Sequence, residues 1–111
     1  MADPQFFIKR NDTVPYLDAA LQDDRGRPIN LTSTTVLFHM RDTADDSVKI
    51  SGAAVTVLSA TRGEVRYTWT SNDTDTAGNY EGEFQVTFDA GGVHTFPNNG
   101  YINIIMLEDV V

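Results

Sequence analysis

The stretch Tyr80–Phe88, YEGEFQVTF, constrains the fold of this chain more than any other. Apolar or small residues fall at Tyr80, Gly82, Phe84, Val86 and Phe88, with Glu81, Glu83, Gln85 and Thr87 between them. Successive side chains of an extended strand point to opposite faces, so a period of two makes a strand with one buried and one wet face. On a helix the same pattern would place apolar residues on two opposite sides rather than on one face. The period recurs. In TTVLFHMR, Val36, Phe38 and Met40 alternate with Leu37, His39 and Arg41; in EVRYTW, Val65, Tyr67 and Trp69 alternate with Glu64, Arg66 and Thr68.

Weaker strand signals fill the rest. QFFIKR, AAVTVLS, VHTF and YINIIML are short β-prone runs. TVPYLDAALQ sets Leu17, Ala19 and Leu21 against Val14, Tyr16 and Asp18. Pro15 has no amide hydrogen to donate, so that strand begins at an edge or carries a bulge. DDRGRPIN, ATRG, DAGG and PNNG carry turn chemistry, DTADDS is a polar loop, and TSNDTDTAGN is a longer one rich in residues that bond their own backbone. The expectation is an all-β sandwich of about seven antiparallel strands. With no linker or repeat, residues 1–111 read as one domain with a short N-terminal arm and a C-terminal tail. A small open barrel is the competitor, but the basic face usual for the oligonucleotide-binding kind is missing.

Charge and composition narrow the chemistry. Sixteen acidic residues against eight basic ones give a net charge of −8, which disfavours nucleic acid as a partner. No run approaches the ~20 apolar residues of a membrane helix, so no membrane partner is expected. MADPQFFIKR lacks a basic start and a long apolar stretch, and the expectation is synthesis in a cytoplasm without a signal peptide. The absence of cysteine excludes disulfides, thiolate metal sites and cysteine nucleophiles. His39 and His94 have no metal-pair spacing, and no serine lies in a Gly-x-Ser-x-Gly elbow. Asn72, Asp73, Asp75 and Asn79 would offer oxygens to calcium, but no Glu follows at EF-hand spacing, and turn chemistry accounts for them better. The expectation is a chain that is not an enzyme and holds no cofactor or metal.

DTAGNY, Asp75–Tyr80, leads from the polar loop into the alternating strand. It is similar to the Asp-x-Ala-x-x-Tyr corner of immunoglobulin-type sandwiches, where a tyrosine hydroxyl ties down an upstream backbone group. Those domains often have a cysteine two residues after the tyrosine; here that residue is Gly82. The expectation is an immunoglobulin-like sandwich with a structural corner of Asp75, Gly78 and Tyr80. Trp69 and the inward aromatics would fill the space of the absent disulfide.

Three longer segments carry a closer resemblance: FIKRNDTVPYLDAALQDDRGRPINLTSTTVLFHMRD, GEVRYTWTSNDTDTAGNYEGEFQVTF and HTFPNNGYINI. Together they resemble the N-terminal immunoglobulin-like domain of the phage baseplate upper protein family, across nearly the whole chain. The resemblance implies a virion structural protein, an assembly module of the tail or baseplate region whose partners are other phage structural proteins. Self-association into a homo-oligomer is a further expected contact. Such proteins carry the domain at the front of a longer, often trimeric chain, whereas this sequence stops at Val111 with no coil or stalk. A capsid decoration or head–tail joining protein is therefore the alternative. A carbohydrate or host-receptor module is the third reading, with Tyr16, Tyr67, Trp69 and Tyr101 as its aromatics, although their polar neighbours favour burial. Candidate interface residues are Phe6 and Phe7 in the arm and Val110 and Val111 in the tail, placed to extend onto a neighbour by strand addition.

Overall fold

A computed structural model describes residues 4–97, 100–108 and 110. Its regular elements among these residues are strands: β1 (Gln5–Lys9), β2 (Leu17–Ala20), β3 (Thr34–Asp42), β4 (Val48–Ala54), β5 (Thr56–Ser59), β6 (Glu64–Tyr67), β7 (Gly78–Phe88), β8 (Val93–Phe96) and β9 (Ile102–Leu107). A six-stranded sheet runs β1-β9-β7-β3-β4, with β8 also on β7, and a three-stranded sheet runs β2-β6-β5. The two sheets form a β-sandwich.

The most strongly alternating segment organises the larger sheet. Along one side β7 pairs with β3 from Thr34↔Phe88 to Asp42↔Tyr80. On its other side β8 pairs with the second half of β7 and β9 with the first. The small sheet is held by β6, which pairs with β2 and β5. β2 lies at the edge of that sheet, where a preceding proline leaves no ladder bond unmade.

Four expectations need correction. There are nine strands among the described residues, not about seven, and they are not all antiparallel, because β1 pairs parallel with β9. β4 has no counterpart among the runs read as strands: its VKISGAA interrupts its apolar residues with Ser51 and Gly52 and pairs with β3 through bulges. AAVTVLS is also not one strand: Ala53 and Ala54 end β4 in the large sheet, Val55 is the crossing, and β5 begins in the small sheet. In TVPYLDAALQ only Leu17–Ala20 is paired as a strand, while Val14 and Tyr16 are exposed.

The inner faces meet in an aromatic cluster. The Phe38 ring, from β3, lies 4.6 Å from Tyr67 of β6, 6.0 Å from Trp69 and 5.1 Å from Phe84 of β7. Trp69 meets Tyr67 edge-on at 5.1 Å and stacks with Phe6 at 5.8 Å. Such pairs contribute about 0.5–1.5 kcal/mol each beyond the area they bury. Gly82 makes room for the cluster: a Cβ there would stand 2.9 Å from the Phe38 ring and 2.7 Å from Ile104.

Gly63, in the turn between β5 and β6, meets a harder constraint. It has φ +65°, and a Cβ would stand 2.5 Å from the Leu21 carbonyl oxygen and 2.8 Å from that of Ile29. Those backbones are locked together, since the Leu21 amide donates to the Gly63 carbonyl at 2.8 Å and the Ile29 amide to Leu21 at 2.9 Å. Gly26 has a similar φ of +78° but open space around it. Gly26→Ala should cost only the left-handed backbone penalty, about 1 kcal/mol, and Gly63→Ala at least about 2 kcal/mol more, because backbone must move. Urea unfolding of both variants measures the difference; equal losses would overturn the close-approach argument.

Candidate interaction site

The polar loop between β6 and β7 is fixed by its own side chains. The Tyr67 hydroxyl donates to Asp73 Oδ2 at 2.6 Å, and the Thr70 amide donates to the same oxygen at 2.8 Å. Burial first, and the Asp73 carboxylate second, push the Tyr67 phenol above its ordinary range. Thr74 is fully buried: its hydroxyl donates to the Asp12 carbonyl at 2.9 Å, and its carbonyl accepts from the Asn11 amide at 2.8 Å. Asp73 and Thr74 have no signature in the sequence beyond general loop polarity, and reasoning from sequence missed both as anchors.

The three corner residues lie at the end of this loop. Tyr80 is buried, and its hydroxyl donates to the Thr76 carbonyl at 2.6 Å. Gly78 opens β7 with φ +154°, a conformation that side chains rarely adopt. Asp75 points elsewhere, to the Lys49 ammonium of β4 and the Thr76 hydroxyl. The loop carboxylates therefore do not converge, and no group of three or more His, Cys, Asp or Glu among the described residues could hold a metal ion.

The four interface candidates separate. Phe6 turns inward onto Trp69, whereas Phe7, one residue on, is 55% exposed on the outer face. Phe7 lies beside Ile105, and Leu107, exposed like Phe7, lies opposite Lys9. Phe7, Ile105 and Leu107 thus line an apolar strip along the β1 edge of the large sheet. Val110 is exposed, and Val111 lies outside the described residues.

The four aromatics offered for sugar binding share no platform. Tyr67 and Trp69 are core residues. Tyr16 is exposed beneath the Arg66 guanidinium at 4.6 Å, and Tyr101 lies beneath that of Arg41 at 4.9 Å. Of the two histidines, His94 packs against Phe96 at 4.1 Å. His39 accepts the Gly52 amide on Nδ1 at 3.0 Å, so its Nε2 carries the proton and donates to Gln85 Oε1 at 2.7 Å. His39 lies on the outer face of the large sheet, in a cleft of about 450 Å³ with Arg41, Glu81, Glu83, Gln85 and Tyr101.

At the level of class, this chain is a small two-sheet β-sandwich domain with an apolar edge and a polar outer cleft. The profile of the BppU N-terminal domain matches residues 7–96, and the chain belongs to that family, that of the phage baseplate upper proteins. No curated protein matches the sequence. Among solved structures, CopC from Methylosinus trichosporium OB3b superposes with a TM-score of 0.54 at 10% identity, covering 100% of this chain and 89% of that one. At that identity the likeness is one of fold alone.

Two outcomes follow from this geometry. Tyr80→Phe removes one buried hydrogen bond and leaves the Thr76 carbonyl without its donor. The expected loss is about 1–2 kcal/mol, with a lower melting temperature and an unchanged far-ultraviolet spectrum; an unaltered melting curve would overturn the bond's structural role. The second concerns acid. Asp18 is held below the usual carboxylate range by the Arg66 guanidinium, Asp23 by the Arg27 amide, Asp45 by the Ser47 hydroxyl and Asp75 by the Lys49 ammonium. Folded carboxyls with lowered pKa bind fewer protons than unfolded ones, so their contribution is complete above the unfolded value near 3.8. It is lost as pH falls through the folded values. Urea midpoints from these groups should be level from pH 7 to 5 and drop below pH 4; a midpoint rising on acidification would contradict the assignment.

Proposed function

We propose that this domain is a non-enzymatic assembly module of a tailed-phage virion, acting in the tail or baseplate region by binding other structural proteins of the particle. The match of residues 7–96 to the BppU N-terminal domain carries this reading. The apolar β1 edge supports it. An edge strand presents unpaired backbone groups, and Phe7 with Ile105 adds side-chain contact for a neighbour joining by strand addition, whether another protein or a second copy. The Tyr80 hydroxyl on the Thr76 carbonyl supports reading the sandwich as immunoglobulin-like, with its corner kept and its disulfide replaced by packing.

Immunogold electron microscopy of intact particles, with antibody raised against this chain, tests the placement. Label at the tail tip or baseplate is the expected result. Label spread over the head would favour a capsid decoration role instead. No label on particles, with strong recognition of the chain in lysate, would overturn the virion reading.

A further inference from the structure

The polar cleft on the outer face of the large sheet has a structural cause. β7 is flanked by β8 down to Phe84↔Phe96 and by β9 from Gly82↔Ile102. Glu83 therefore falls where the neighbouring strand is interrupted, with β3 alone beside it at His39. The interruption opens the sheet surface, and Tyr101 and Thr95 border the gap.

Glu83 is half-buried and has no side-chain partner among the described residues. The two basic side chains near it are engaged elsewhere. Arg41 donates from Nε to Glu81 Oε1 at 2.9 Å, with its terminal nitrogen equally close, and stacks over Tyr101. His39 is neutral in its hydrogen-bonding pattern, with both ring nitrogens occupied by Gln85 and Gly52. Glu83 thus contributes an uncompensated negative charge inside a recess, on a chain of net charge −8. Ser51, Thr95 and Tyr101 line the same recess. A carboxylate acceptor beside further oxygen acceptors suits a planar, multiply donating cation, whose fork meets a carboxylate.

We propose that this cleft receives an arginine side chain from a partner protein of the particle, with Glu83 as its carboxylate acceptor. The proposal rests on the assembly-module reading for the identity of the partner but not for the chemistry of the site. Charge complementarity selects the occupant: the acidic chain draws a basic partner towards it, and the one unpaired carboxylate of the cleft fixes where the cation settles.

Nitrogen-15 NMR titration of the full chain with N-acetyl-arginine amide tests this. Shifts should concentrate at Glu83, His39, Gln85 and Tyr101, and shrink as salt is raised. The neutral isostere N-acetyl-citrulline amide should leave these resonances in place. Glu83→Gln should weaken binding about tenfold or more, the effect of losing one charge-assisted hydrogen bond. Scattered or absent shifts, equal response to citrulline, indifference to salt or unchanged binding by Glu83→Gln would each overturn the proposal. Shifts at the same residues with maltose, and none with arginine, would overturn it in favour of a saccharide cleft. Gold labelling of wild-type particles is independent of these results: labelled particles with no arginine response would reject the cleft alone, and unlabelled particles with a cleft response would reject the assembly reading alone.

Discussion

The approach of Phe38 to Gly82 is the constraint on which the rest of the sandwich depends. Phe38 is fully buried, and its ring touches the place where any larger residue at 82 would put a side chain. From there it reaches across to Tyr67 and Trp69 on the side of the small sheet. Some two-sheet domains join their sheets with a covalent bridge. Here the join is a stack of rings, which stabilises only while close-packed, because dispersion falls away within an ångström of added gap. A glycine in mid-strand weakens a sheet taken alone. The cost is offset by the contact it admits, and β7 tolerates it because β3 and β9 hold it from both sides.

Filling a core with tyrosines requires partners for their hydroxyls. Tyr67 and Tyr80 each bring one into the interior, and both are satisfied by the same loop, Tyr67 by Asp73 and Tyr80 by the Thr76 carbonyl. An unpaired buried hydroxyl would cost about 1–3 kcal/mol. The polar loop is therefore the complement of the aromatic core. Its Thr74 in turn ties the chain between β1 and β2, which joins the edge of one sheet to the edge of the other.

How much of this was legible follows from the range of each cause. β3, β6 and β7 are written in a period of two, because each has one face on the core and one in water. Tyr80 and its upstream carbonyl are four residues apart, a distance at which sequence carries geometry. The separation of Phe6 from Phe7 was also implicit in the alternation, although both were grouped as one interface. β4 was not legible, since Ser51 and Gly52 break its pattern and its bulged pairing with β3 is what makes it a strand. The parallel partnership of β1 and β9 joins residues nearly a chain length apart, and no local signal specifies direction. The cleft at Glu83 was invisible for the same reason: it arises from where β8 stops and β9 starts, a register fact.

These causes divide the molecule's surface. The core is filled by large rings, and the polar side chains of the cleft and the apolar residues of the β1 edge stand on the outer face of the large sheet. These two surfaces differ in kind. The β1 edge offers backbone and apolar contact, which supplies affinity but little discrimination. The cleft offers one unpaired carboxylate beside the Arg41–Glu81 pair, which in the proposed role would discriminate between a cation and its neutral isostere but contribute modest affinity. They lie on one sheet, at its edge and near its centre, so one partner laid across that face would meet both. In the proposed role, a module combining an undiscriminating edge with a selective recess binds only where both are engaged together, and that conjunction would give a small domain a specific place in an assembly.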